Sequence, residues 1–436
     1  MNLMLFEDEL SANFKPLTYT RPVFELRCGM LSFLDRAVRR IPHHRVFLYV
    51  RDYLGGIEAF RHGDMIVNSI DNLDDDLILI NGRLVLDDKF STLFERLLEA
   101  KNTIFIQSNC VVAAFLSMES AKNILHGRAG GLIGIRDFLE FKDDLNIVEV
   151  NGLSLICNLW DLIDFNHVLL KYDFNLIVEK PEILGEIDSR VVIYGDIRNL
   201  HVEENVTIEG NVNIDVRGGP IYIDRNVEVH GPSSIHGPCY IGRNTRIVSG
   251  ARIRSDCSIG ETCRIGSEIE SSIFHGFSNM YHAGFMGHSY IGEWVNIGAL
   301  TANSDLKNTY GPVKMEIKGK EVNTGKIKVG CFIGDHVKTS IGCQIYTGKL
   351  IGVSSHLHGI VFENVPSFTI YAKSLGIKPV ELNFDSAIRT MTRMYERRGR
   401  KPSDVEVELM RKIFELTSEE RSEFGVKKGV FSFRKV

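Results

Sequence analysis

The sequence predicts three successive parts: an α/β domain, a triangular coil of parallel β-strands, and a short helical tail. Three observations carry this prediction. Short apolar runs alternate with helical patterns over the first 180 residues or so. From 223 to 270 an aliphatic residue recurs every six positions, as Ile223, Val229, Ile235, Ile241, Ile247, Ile253, Ile259 and Ile265. Residues 371–436 then turn basic, with 15 Lys and Arg against 10 Asp and Glu, and regain helical spacing.

The first part, placed at 1–185, has apolar strands at Leu3 to Phe6, Val46 to Val50, Leu77 to Ile80, Thr103 to Ile106 and Ile147 to Val150, with helical patterns near 30–40, 89–100 and 158–171. Such alternation implies a mainly parallel sheet with its ligand site beyond the carboxyl ends of the strands. The loop after the first strand therefore matters most. It contains Pro16-Leu17-Thr18-Tyr19-Thr20-Arg21-Pro22 and then Glu25-Leu26-Arg27-Cys28-Gly29. Arg21 and Arg27 can bind phosphate through the guanidinium fork, or hold the loop by pairing with Glu7 or Asp8. Asn81 ends the third run. Asp161, in Asn158-Leu159-Trp160-Asp161, reads as an acid at a helix N-terminus interacting with the macrodipole.

The second part, 186–370, follows Lys180-Pro181 and opens with the first loose repeats, Val191-Val192-Ile193 and Val206-Thr207-Ile208. Six residues make one short strand and one sharp turn. Three such units close a triangular coil, so a residue eighteen positions on lies one ladder spacing higher, at about 4.8 Å. Four residues after each large aliphatic comes a mostly small residue, Val227, Ser233, Cys239, Thr245, Ala251, Cys257, Cys263 or Ile269, which lets the chain bend at a corner. No coil buries its inner face alone, so the pattern has meaning only as a stacked solenoid. Residues 272–326 interrupt the period and hold the densest polar chemistry, including His282, His288 and Asn296. In the tail, 371–436, Phe384 to Arg398 and Val405 to Phe424 have helical spacing, and Pro402-Ser403-Asp404 is a helix start. Arg389, Arg393 and Arg397 form a stripe that is either solvated or meets an acidic partner.

Composition bounds the function. The chain has 436 residues, 44% hydrophobic and 25% charged, with net charge −5, which is ordinary for a folded protein and gives no general nucleic-acid signal. No run of eighteen apolar residues offers a membrane span. Glu7, Asp8 and Glu9 near the start are unlike a secretory leader, so a cytoplasmic setting is expected. Eight cysteines without a Cys-x-x-Cys pair predict reduced thiols, including Cys239 and Cys257, whose eighteen-residue spacing would stack them on adjacent coils.

The loop Pro16 to Arg27 resembles that of the sugar-1-phosphate nucleotidylyltransferases, and the six-residue repeat resembles the left-handed parallel β-helix, an exception to right-handed crossover. Together they are similar to the branch in which the two are fused, as in the bifunctional N-acetylglucosamine-1-phosphate uridylyltransferases/glucosamine-1-phosphate N-acetyltransferases. In two places the chain departs from that family. Glu7, Asp8 and Glu9 replace its Gly-x-Gly-Thr-Arg phosphate cradle, and Val23 stands where the family has lysine.

The resemblance implies a nucleoside triphosphate and a sugar-1-phosphate as substrates, with Arg21 and Arg27 supplying the missing charge. Asn81 falls at the family's metal-binding aspartate, so Asp161 would carry more of an expected Mg²⁺. Counted back from Asn296-Ile297-Gly298, His282 matches the catalytic histidine of the acetyltransferase half, and Asn296 and Ala299 match its acceptor and acyl-CoA positions. His288 stands where the family has aspartate. Arg254 and Glu270 fall near substrate positions, and the loop at 303–326, with Lys307, Lys318 and Lys320, resembles one that reaches a neighbouring subunit of a trimer. The implied function is UDP- or dTDP-sugar synthesis joined to acetylation of an amino sugar phosphate from acetyl-CoA, in a homotrimer. Two alternatives stay open: a nucleotidylyltransferase whose coil only trimerises it, and a non-catalytic sugar-nucleotide-binding scaffold.

Overall fold

The computed structural model describes residues 1–127 and 130–432. Its first part is a seven-stranded sheet with order β3-β2-β1-β4-β6-β5-β7. The strands are β1 (Asn2–Phe6), β2 (Arg45–Tyr49), β3 (Ile66–Val67), β4 (Leu77–Asn81), β5 (Thr103–Gln107), β6 (Cys110–Leu116) and β7 (Asn146–Glu149). Both β1 and β4 are buried throughout, which explains why they read as unbroken apolar runs. All pairings are parallel except those of β6, antiparallel to β4 and β5. Helices α1 (Phe33–Arg40), α2 (Asp52–Arg61), α3 (Asp88–Glu99), α4 (Met118–Leu125), α5 (Arg136–Leu139) and α6 (Leu159–Ile177) complete the domain. Ser32 with Asp35 and Asn158 with Asp161 form capping boxes that start α1 and α6.

The second part is a triangular, left-handed β-helix whose faces are three long parallel sheets. Ile223, Ile241 and Ile259 stack in register, as do Val229, Ile247 and Ile265, so one coil is eighteen residues. Beyond Ile259 the coils shorten: Ile253 pairs with Ile269, Ile259 with Phe274 and Ile265 with Met280. The coil nevertheless continues through the segment that sequence reads as an interruption. Only residues 304–328 leave it, as a loop carrying the antiparallel hairpin Lys314–Ile317 and Lys320–Asn323. Cys239 and Cys257 pair in register, and both thiols are free and buried.

One corner of the coil keeps a left-handed backbone on level after level, at Asn226, Asn244, Thr262, Phe277, Trp294, His336, Ser354 and Phe368. Asparagine tolerates that conformation and bulky residues do not. Phe277 (φ 52°) and Trp294 (φ 57°) are therefore strained positions, and they mark where the tail docks.

The tail consists of α7 (Phe384–Glu396), α8 (Asp404–Leu416) and α9 (Ser418–Glu423). It bridges the other two parts: α8 packs on α2, while Tyr395 of α7 stacks on Trp294 with ring centroids 4.1 Å apart. One apolar cluster accordingly runs from Leu3 and Phe24 through Tyr290 and Phe332 to Met391 and Ile413. Among the described residues no helix is long and apolar enough to cross a membrane.

Candidate functional site

At the carboxyl end of β1, where the first loop should cradle phosphates, two carboxylates fill the space. Glu7 is fully buried and accepts hydrogen bonds from the backbone N–H of Val23 (2.9 Å) and from Arg51 Nε (2.9 Å) and Nη2 (3.0 Å). Asp8 accepts from Arg83 Nε (2.8 Å) and Nη2 (2.5 Å) and from Asn81 Nδ2 (2.9 Å). A buried arginine beside a buried carboxylate is the pairing that makes such charges tolerable. The partners of Glu7 and Asp8 are thus Arg51 and Arg83, not Arg21 and Arg27.

Arg21 is 1% exposed and forks onto Asp335 of the coil at 3.1 and 2.6 Å, with Glu293 at 3.1 Å and Thr20 Oγ1 donating to Asp335 at 2.7 Å. Burial opposes its charge, but Asp335 and Glu293 outweigh burial and hold the guanidinium firmly protonated. Arg27 donates to the carbonyl of Met30 and lies over the Tyr240 ring at 5.3 Å. Both arginines join the first domain to the coil; the Arg21 fork is filled by Asp335, whereas Arg27 engages Nη1 and leaves Nε buried without a hydrogen-bond partner among the described residues.

Asn81 is saturated as well: its Nδ2 also donates to the carbonyl of Val111 and its Oδ1 accepts the N–H of Arg83. Asp161 accepts the N–H groups of Cys157 (2.7 Å) and Asn158 (2.8 Å), which is the helix-cap reading. The Asn81 amide is filled at both ends, and Asp161, whose Oδ2 takes both N–H groups, shares no partner with it, so the two do not together fit an Mg²⁺ site.

Hollows lie between the parts. A cavity of about 250 Å³ is enclosed by the first loop, α2, the coil corner and the tail, and includes Arg21, Arg61, His275, Glu293, Asp335 and Arg400. A wider cleft of about 450 Å³ opens on the loop leaving β1. There Asn13 and Lys15 face Lys318 of the hairpin, with Asn364, Glu420 and Phe424 around them. Asn13 donates to the carbonyl of Cys157 (3.0 Å), whose thiol lies beside Arg83, so the cleft adjoins the strand ends. Burial lowers the Lys15 ammonium; Glu420 opposes this, and the charges of Arg51 and Lys318 add to it.

On the coil, His282 is exposed, with Tyr281 edge-on at 5.2 Å. Ala299 lies on the next level of the same edge, since Leu300 N–H donates to the carbonyl of Ala283. Asn296, also exposed, bridges Asn279 and Lys338 through its backbone on a neighbouring sheet and lines a further hollow with Arg397 and Arg398.

The structure adds a pair that the family-based reading of the sequence passed over. His288 Nδ1 is 2.7 Å from Asp305 Oδ2, one coil away. Burial raises the Asp305 carboxyl, but the hydrogen bond from His288 pulls it below the usual range. Beside it Arg254 pairs with Glu268 (2.7 Å), and Lys328 with Glu270 (3.3 Å). A count of seventeen residues per coil at this level would have found the pair.

Comparison with known proteins gives partial matches. Residues 3–181 match the family model described as sugar nucleotidyl transferase. The bifunctional sugar-1-phosphate nucleotidylyltransferase/acetyltransferase of Sulfurisphaera tokodaii is 36% identical over 91 residues, 21% of this chain and 23% of that protein. The bifunctional protein GlmU of Methanococcus vannielii is 27% identical over 287 residues, 62% of this chain and 60% of the relative. The match thus spans less than two thirds of either relative. Among solved structures, the UDP-N-acetylglucosamine acyltransferase of Francisella novicida is 17% identical, covers 54% of this chain and 86% of its own, and has a TM-score of 0.34.

Proposed function

We propose that this chain is a sugar-1-phosphate nucleotidylyltransferase, making a UDP- or dTDP-sugar, whose β-helix carries an acyltransferase-type site at His282. The observation that carries the first activity is the cleft whose one wall is the loop leaving β1, part of the segment that matches the sugar nucleotidyl transferases, and whose other walls come from the hairpin, the coil and the tail. Lys15 and Lys318 face it from two parts of the chain, beside the carboxylates of Glu316, Glu420 and Glu423, and their ammonium groups are the ones that would meet the phosphates of a nucleotide. In the reaction a phosphate oxygen of the sugar-1-phosphate attacks the α-phosphorus of the nucleoside triphosphate, and pyrophosphate leaves. The two ammonium groups would balance charge on the phosphates, in the role the arginines were expected to take.

For the second activity, the support is the exposure of His282 and its place one level below Ala299. A neutral imidazole there can take the proton from a sugar amine as the nitrogen attacks the thioester of acetyl-CoA, releasing the free thiol. The same edge carries Tyr281, Leu300 and Ile341, which are 40%, 68% and 78% exposed. That ridge supports a homotrimer in which His282 meets a neighbouring subunit. Eight free cysteines agree with a cytoplasmic setting.

A second reading, a sugar-nucleotide-binding scaffold without turnover, is favoured by Glu7 and Asp8, which fill the phosphate cradle. Pyrophosphate release decides between them. The chain is incubated with UTP or dTTP, supplied with Mg²⁺, and a panel of sugar-1-phosphates. Lys15→Ala and Lys318→Ala should each lower kcat/KM by roughly 10- to 100-fold, the worth of a hydrogen bond to a charged group. Nucleotide binding without pyrophosphate release would establish the scaffold.

A further inference from the structure

We propose that Glu25, Glu58 and His62 form a binding site for a divalent transition-metal ion in the wall of the interdomain cavity, separate from Asn81 and Asp161. Glu58 and His62 are four residues apart in and just after α2, on one helix face, and Glu25 comes from the turn that follows the first loop. Their ligand atoms all lie within 4.8 Å of one another. His62 Nε2 is 2.7 Å from Glu25 Oε1 and 3.7 Å from Glu58 Oε2.

A second observation, independent of the clustering, points to a ligand. Glu58 is fully buried, and its Oε1 is taken by Arg61 Nη1 at 3.0 Å. Its Oε2, aimed at His62, has no hydrogen-bond partner among the described residues. A buried carboxylate oxygen is rarely left without a partner. A cation in the place of the His62 Nε2 proton would satisfy that oxygen together with the other two ligands.

The distances suit the exchange. Ligands held at about 2.1 Å in tetrahedral geometry lie about 3.4 Å apart, so the short contact opens slightly and the longest separations close. Arg61 would orient Glu58 from behind and also donates to the carbonyl of Thr20 (3.0 Å), tying the site to the first loop. The neighbouring cavity is lined by five carboxylates against three guanidiniums, so its field attracts a cation. Glu25 and His62 face the cavity, which leaves a coordination position for water or a ligand oxygen. One imidazole and two carboxylates favour a borderline ion such as Zn²⁺ over Mg²⁺.

The test uses the full chain, stripped with a chelator and dialysed. Titration with Zn²⁺ followed by calorimetry should give one tight equivalent. Glu58→Gln and His62→Gln should each weaken that equivalent by 100-fold or more, while His230→Gln on the outer coil should leave it unchanged. If the first two variants do not fold, Co²⁺ added to the wild type decides. Visible absorption of an imidazole-bound ion at one equivalent supports the site, and the spectrum of the aqueous ion overturns it. Wild-type protein that takes up no Zn²⁺ at micromolar concentration, or folded variants that retain the equivalent, would also overturn it.

Discussion

Arg21 and Asp335 stand 314 residues apart in sequence and meet in a two-pronged, fully buried ion pair, at 3.1 and 2.6 Å. Glu293 adds a second carboxylate at 3.1 Å. The pair locks the loop that follows β1 against the coil. Removing one member strands the other charge in the interior, which costs about 3–5 kcal/mol, whereas removing both leaves less charge unpaired. Arg21→Met and Asp335→Leu should therefore each lower the melting temperature more than the double variant does. Thermal unfolding of all four proteins checks this; a double variant equal to the sum of the singles would mean that the two do not act as a unit.

The acid side of stability is predicted to depend on His336. Burial, with help from Lys338, pushes its imidazole down to about 3, so it is neutral in the folded chain at every ordinary pH. Between that value and its ordinary 6.5 the unfolded chain holds one proton that the folded chain does not. Stability contributed by the neutral ring is thus complete above 6.5 and is lost as pH falls toward 3, at about 1.4 kcal/mol per pH unit. His336→Asn keeps a residue suited to the left-handed corner, as at Asn226 and Asn244, and removes the titration. Urea unfolding between pH 4 and 7 should show a flatter slope in the variant.

Much of the fold was legible because its signals are local. The strands β1, β2, β4, β5 and β7 and the helices α1, α3 and α6 lie within a few residues of where apolar runs and helical spacing put them. The six-residue period and the eighteen-residue register agree throughout the stretch where the repeat is regular. Helix α2 was not read because Gly55 and Gly56 interrupt its pattern; at Gly55 a Cβ would come within 3.0 Å of the Asn68 amide. Strand β6 was missed because it returns from β5 through the tight turn Ser108–Asn109, both at positive φ, without the glycine that usually marks one.

The site was less legible. Arg21 and Arg27 were found as the loop's cations, but their partners come from the coil and from the loop's own backbone. No local pattern reports a contact across 314 residues. The same holds for the triad of Glu25, Glu58 and His62, which depends on a helix the sequence hid.

For acyl transfer, His282→Ala should reduce thiol release from acetyl-CoA with glucosamine-1-phosphate by roughly 10²- to 10⁴-fold, the usual worth of a positioned base. Nucleotidyl transfer should be unchanged, because His282 lies on the outer edge of the coil. His288→Ala is the informative companion, since Asp305 already orients that imidazole at 2.7 Å. Full activity in His282→Ala together with loss in His288→Ala would move the base to the pair on the neighbouring corner.

The tail's docking gives an optical prediction. Trp294 is sandwiched between Phe277, with centroids 4.7 Å apart, and Tyr395 of α7, at 4.1 Å. Arg400 lies over all three rings, 5.4 to 5.8 Å from their centroids. Trp294 holds a backbone conformation unfavourable to a bulky residue, so the coil alone gives it little reason to be there, and the stack with the tail supplies one. Truncating a buried aromatic costs about 3–5 kcal/mol. In Tyr395→Ala that loss should fall mainly on the contact between tail and coil, opening one face of Trp294 to water. The chain has two tryptophans, and Trp160 lies in α6 of the first domain while Tyr395 stacks on Trp294, so a red shift in emission reports on Trp294. Tyr395→Phe keeps the ring but not the hydrogen bond to Glu406, and should keep the wild-type emission maximum. Unchanged emission in Tyr395→Ala would mean that the tail does not rest on this corner in solution.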